Sequence, residues 1–270
     1  MTTMTLDAAP ARPLHIGPAK ALKHGLSLGW RGILKIRKNP EQLMDVTIAP
    51  ILFLLMFVYI FGVAISGSTG SYLQMVVPGI MVMNIMQASM TIGVSLNTDA
   101  SKGVFDRFRS MPIARSAPLV GAVFADVVRY LVCLVVLLVV AMIMGYRLQT
   151  GAASLVVGVA LLVLFGLCFC WMAVFVGMLL KTPGAVQGLM VAFILPLNFG
   201  SNVFVPSDRM PGWLQAWSDI SPVSLTANAL RGLMNGGEVA GPLFGALGWM
   251  AALVVVFFPL AMWAYRRRTS

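Results

Sequence analysis

Few side chains in this sequence are equipped for covalent chemistry, and their positions argue against it. The histidines are His15 and His24, both far from any apolar run. A membrane-embedded serine hydrolase needs its base beside its nucleophile, so that chemistry is excluded. No H-E-x-x-H is present for a zinc protease, and no G-x-x-x-x-G-K-[ST] to cradle a nucleotide. Cys133, Cys168 and Cys170 all lie inside apolar runs. Cys168 and Cys170 are two apart and point to different helix faces, so they make neither a disulfide framework nor a zinc site. The acidic candidate within an apolar run is Asp126, with Arg129 one helical turn on. The two read as an internal pair near the cytoplasmic interface rather than as a proton relay. A chain that moves a substrate with these residues draws its energy from elsewhere.

What remains is polarity at helical spacing. Asn84, Gln87, Thr91 and Ser95 form one stripe on one apolar run. Gln187, Asn198 and Asn202 share a face of another, beside Pro196. Polar stripes are costly against lipid unless they face protein or water. Hydrogen bonding between helices is one reading, and a transport route is the other. On the second, Asn84, Gln87, Thr91, Ser95, Asn198 and Asn202 line the route, and Phe53 and Phe57 supply its apolar wall. Met75, Met81, Met83, Met86 and Met90 are soft surface suited to varied apolar ligands, or simply filler. Gly184 and Gly188 are a small-xxx-small pair that admits a close helix neighbour, and mark a seam between two copies.

These stripes need helices to carry them, and the composition demands a membrane. Of 270 residues, 59% are hydrophobic and only 10% charged. A soluble domain has roughly 45–50% and about 25%. Mean hydropathy is +0.89. An ordinary soluble enzyme, a disordered protein and a nucleic-acid-binding module are excluded. A bilayer core of about 30 Å takes about 20 apolar residues. Runs at 46–66, 73–97, 117–145, 153–180, 185–205 and 242–265 predict six spans in an all-α membrane protein. Residues 1–18 read as a disordered cytosolic tail, and 19–270 as a single transmembrane domain. Nothing in 1–45 resembles the apolar region of a signal peptide.

Orientation follows from the basic residues. Fifteen of the nineteen Lys and Arg fall before the first span, in the 98–116 loop, at Lys181, or at Arg266, Arg267 and Arg268. Only Arg147, Arg209 and Arg231 fall on the other side. That bias puts both termini in the cytoplasm of a multi-pass cell-membrane protein.

Three further segments have helical patterning. Lys20, His24, Arg31, Lys35 and Lys38 oppose Leu22, Leu26, Trp30 and Ile33, as in an interfacial amphipathic helix. In the 98–112 loop, Thr98 and Asp99 can cap a helix start, Phe105, Phe108 and Met111 form a ridge, and Pro112 ends it. That ridge either lies on lipid headgroups or docks into a soluble partner. Between spans five and six, Pro211 to Trp217 and Ser221 to Gly236 predict two short outer helices, which as a bland reading form a passive lid.

Taken together, these features resemble the permease subunit of ABC type-2 exporters, in particular the daunorubicin-resistance type of high-GC Gram-positive bacteria. The resemblance rests on S-K-G-V-F-D-R-F-R-S-M-P-I-A-R-S at 101–116, L-P-L-N-F-G-S-N-V-F-V-P at 195–206, and M-P-G-W-L-Q at 210–215. Ser221-Pro222 followed by Ala229-Leu230-Arg231 is a further match. Gly200 departs from the pattern, where a bulkier residue is expected. The resemblance implies two permeases, identical or homologous, working with two copies of a separate ABC ATPase. ATP and Mg are held by that partner, and this chain needs no cofactor or metal of its own. The 98–112 helix is then a coupling helix, whose Phe105, Asp106, Arg107, Phe108, Arg109 and Met111 contact the ATPase. A hydrophobic or amphipathic drug or lipid-like substrate leaves between the permeases. The competing classes are a secondary carrier or channel, which lacks an acidic relay here, and a membrane enzyme, which lacks a nucleophile–base pair.

Overall fold

The computed structural model describes Ile48, residues 50–102 and residues 117–269. The amphipathic 20–38 segment, the 1–18 tail and the ATPase-contact residues Phe105, Asp106, Arg107, Phe108, Arg109 and Met111 lie outside the described residues.

Among the described residues, all regular structure is helical. The apolar helices are α1 (Pro50–Ser66), α2 (Thr69–Ser101), α3 (Ala117–Ile143), α4 (Ala152–Leu179), α5 (Pro183–Phe199) and α8 (Ala240–Thr269). Between the last two lie α6 (Gly212–Ile220) and α7 (Pro222–Asn235). Within the described residues, α2, α3, α4 and α8 are long and apolar enough to cross a membrane. Helices α1 and α5 are shorter, at 17 residues for α5, or about 25 Å at 1.5 Å per residue.

Local chemistry sets several ends. Ser68 accepts a hydrogen bond from the Ser71 amide at 3.2 Å and caps α2. Thr182 does the same for α5, with Pro183 in the first turn. Gly236 and Gly237 at φ +82° and +125° end α7 in a conformation other residues avoid. Two expected boundaries are corrected. Thr98 and Asp99 do not start a new helix: α2 runs unbroken through Ser101, and the Thr98 hydroxyl donates to the Val94 carbonyl one turn back. The fifth span is helical only to Phe199, and residues 200–205 turn away. Ser221 stands at the N-cap position of α7, but its hydroxyl makes no capping bond.

The core is built around α2 and α4, which cross at glycines. A Cβ on Gly93 would overlap the Ala173 carbonyl, and one on Gly177 would overlap the Gly93 carbonyl. Helices α8 and α7 pack on α4, while α3 and α5 pack on α2. The outward sides of α3 and α8 are apolar and exposed, from Leu131 to Ile143 and from Phe244 to Trp263, as a lipid-facing surface requires. All three cysteines are buried and free. Gly166 of α4 sits against Ile85 and Tyr130, where an added Cβ would come within 2.7 Å of both. Gly166→Val is therefore expected to cost about 1–3 kcal/mol by overpacking. A lower melting temperature in detergent checks it.

Hydrogen bonds gather the helix ends into two groups. At one end the Tyr146 hydroxyl donates to Asn235, Thr150 to the Leu233 carbonyl, and Arg209 to the Ile65 carbonyl. At the other, Asn97 and Arg268 both donate to the Gly177 and Leu180 carbonyls that finish α4. Lys102, Lys181 and Arg266 to Arg268 belong to this second end.

Candidate functional site

Helix α2 is the most enclosed of the apolar helices, and its uncovered line is polar. Gln87 and Ser95 are exposed and Thr91 is half-buried, each one turn from the next. Gly93, on the opposite side, is pressed onto α4. Asn84 closes the line at the end nearer Thr69. It is only 7% exposed, and its amide donates to the Ile80 carbonyl of its own helix at 2.9 Å. Ser89, off the line, is fully buried and bonds Tyr130 at 2.8 Å. So α2 spends one serine on joining helices, while Gln87, Thr91 and Ser95 stay available.

Helix α5 is similarly uncovered. Gly184, Gln187 and Gly188 are exposed, and among the described residues nothing lies within 4 Å of a Cβ placed on either glycine. Its packed side is Val186, Met190, Ile194 and Asn198. Gln187 and Asn198 therefore do not share an environment, contrary to the sequence pattern. Asn198 is 2% exposed, and its side-chain oxygen has no hydrogen-bond partner.

Asn202 lies past the end of α5, so the helical face drawn through it from sequence does not exist. It belongs instead to a network around Arg231 of α7. The Arg231 guanidinium donates to the Met75 carbonyl (2.9 Å), the Asn202 side chain (3.1 Å) and Asn228 (2.9 Å). It also donates to the Asn202 carbonyl (2.7 Å) and the Val203 carbonyl (3.3 Å). An arginine has five N–H groups, and each finds an oxygen. Asn202 additionally donates to Asn228 at 2.9 Å. Burial pulls the Arg231 pKa down to about 10, which leaves it charged at neutral pH. One cation thus ties α7 to α2 and to the turn after α5 through neutral oxygens.

This network makes α6 and α7 more than a passive cover. Most of α7 is buried, including Val223, Thr226, Ala227 and Leu230. Ser218 of α6 is also buried, bonded to Ser224 at 3.1 Å, while Trp213 is 75% exposed. Gly200 is explained here as well: a Cβ would meet the Pro196 carbonyl at 2.7 Å and Trp217 at 3.2 Å. Phe57 is buried and stacks on Phe204 with centroids 4.0 Å apart, and half-buried Phe53 continues the stack at 6.1 Å. Phe57 falls in a π-helical turn, Phe57–Phe61. Asp126 and Arg129 do pair directly.

Sequence reasoning missed Arg231 and Asn228 as a unit. The available signal was a lone arginine three residues after an asparagine on a short helix between two spans.

The family model for ABC-2 type transporters matches residues 25–235. The chain belongs to that family. A daunorubicin resistance ABC transporter permease protein, DrrB1 of Streptomyces coeruleorubidus, is 37% identical, covering 100% of this chain and 93% of its own length. A doxorubicin resistance ABC transporter permease protein, DrrB of Mycobacterium tuberculosis, is 28% identical, covering 95% and 96%. The permease described here is thus an ABC transporter membrane subunit, and the long apolar helices and enclosed α2 are its transmembrane core. ATP hydrolysis in such a transporter lies on a partner subunit.

Proposed function

We propose that this permease forms the outward path of an ATP-driven exporter for a hydrophobic or amphipathic molecule. The observation that carries the reading is the uncovered polar line Gln87–Thr91–Ser95 on an otherwise enclosed helix. Such groups at membrane depth are retained where water, protein or a passing substrate meets them. The names of the relatives make an anthracycline the first substrate to test. Two permeases sit with two ATPase subunits that hold ATP and Mg, and the uncovered glycine face of α5, with Gly184 and Gly188, supports that side as the seam between permeases. A carrier driven by protons is not favoured, because Asp126 is taken by Arg129.

All six apolar helices span in this reading, with both termini cytoplasmic in the cell membrane of a high-GC Gram-positive bacterium. The grouping of Lys102, Lys181 and Arg266 to Arg268 at one end supports the orientation. Cysteine at exposed Asp208 should react with a membrane-impermeant thiol reagent in intact cells, and cysteine at Ser110 only after lysis. Ser218, though on the outer side, is too enclosed to serve as a reporter. The reverse pattern would invert the topology.

The coupling reading is tested at Phe105 and Phe108. Burying two aromatic rings in a partner is worth several kcal/mol at about 25 cal/mol per Å², before association costs. Phe105→Ala with Phe108→Ala should strip the ATPase from the purified permease without lowering permease levels. Full ATPase recovery would remove the docking role.

A further inference from the structure

At the basic end of the bundle a cleft of about 520 Å³ opens between the ends of α2, α4 and α8. Ser101, Lys181, Arg267 and Arg268 line it together with Leu179, Leu180 and Trp263. Among the described residues, none that lines it is acidic. A second groove, of about 620 Å³, runs along α8 from Val256, Pro259 and Leu260 to the same Trp263. Its lining is entirely apolar in residue type. The two hollows meet at the tryptophan: basic on one side, hydrocarbon-like on the other.

We propose that this composite hollow is a binding site for an anionic phospholipid. The phosphate is held by Lys181 and Arg267, and an acyl chain lies along Val256, Pro259 and Leu260. The argument is charge and depth together. The carbonyls that finish α4 would repel a phosphate, but Arg268 and Asn97 already donate to them. Arg267 is held over the Trp263 ring, 5.5 Å from its centre, which orders the guanidinium at the level where aromatic rings mark the membrane surface. Basic hollows between spanning helices at that level recognise anionic headgroups. Trp263 is 50% exposed and Val256 likewise 50%, so the groove opens to the lipid phase. The site needs neither the ATPase nor a transported substrate, so it stands apart from the exporter reading.

The test is lipid retention by the purified full chain in detergent. Phosphatidylglycerol and phosphatidylcholine are titrated in separate samples, and bound lipid is counted by native mass spectrometry. Wild type should retain phosphatidylglycerol in preference. Lys181→Gln with Arg267→Gln should weaken that retention roughly thirtyfold, from the contribution of two basic side chains at a membrane surface. Phosphatidylcholine binding should be unchanged. In nanodiscs, brominated phosphatidylglycerol should quench a fluorescence component that Trp263→Phe removes. Equal retention of both lipids overturns the proposal, as does full phosphatidylglycerol retention by the double variant. Displacement of the lipid by inorganic phosphate alone would make this a phosphate site and overturn it too.

Discussion

Replacing Arg231 by leucine is expected to leave little folded permease in the membrane. The side chain donates to five oxygens drawn from α2, α7 and the turn after α5. Leucine fills part of the volume but leaves those oxygens without their donor. Hydrogen bonds to a charged group are worth about 1.5–3 kcal/mol each, and an unsatisfied buried acceptor costs about 1–3 kcal/mol. Even if most of these oxygens relax towards water or one another, a net loss of about 3 kcal/mol or more follows, a large share of a typical folding free energy of about 5–15 kcal/mol. Arg231→Lys keeps the charge but offers three donors on a flexible stem, not five in a fixed fork. It should fall between wild type and leucine. Asn202→Leu and Asn228→Leu each remove fewer bonds and should be milder. Thermal unfolding in detergent, with expression level as a second readout, checks the order. A leucine variant as stable as wild type would show that the network is not what holds α7 in place.

The lengths of the helices were largely legible because the bilayer sets them and apolar runs record it. Thr182-Pro183 and Gly236-Gly237 also mark their helix ends in the sequence as they do in space. The boundary at residue 98 was misread because threonine and aspartate cap helices in general, while this threonine bonds back to Val94 and lets α2 continue. The end of α5 was misread because Val203 to Val205 resume the apolar run beyond Gly200-Ser201-Asn202. The polar line on α2 was legible from spacing alone, since a period of 3.6 places Gln87, Thr91 and Ser95 together in any helix. The fate of Asn202 was not. Its partners, Asn228 and Arg231, are 26 and 29 residues away, and no local pattern encodes that meeting. Arg231 entered the sequence reading only as one charge in the orientation count, which hides its role.

The second large effect is expected on transport rather than stability. Gln87→Leu, Thr91→Val and Ser95→Leu together would turn the open line of α2 apolar. Gln87 and Ser95 are exposed in the single chain and half-buried Thr91 is replaced by a side chain of nearly the same shape, so little packing is lost. If the line faces lipid, the change removes a cost, and the variant is at least as stable and transports normally. If it lines the route, the substrate loses hydrogen-bonding groups worth about 0.5–1.5 kcal/mol each, and transport falls about tenfold or more. The measurement is ATP-dependent accumulation of daunorubicin in inside-out vesicles, per mole of assembled permease–ATPase complex. The account predicts a triple variant that assembles, melts no lower than wild type, and transports at a tenth of the rate or less. Wild-type transport by that variant, at wild-type assembly, would contradict it.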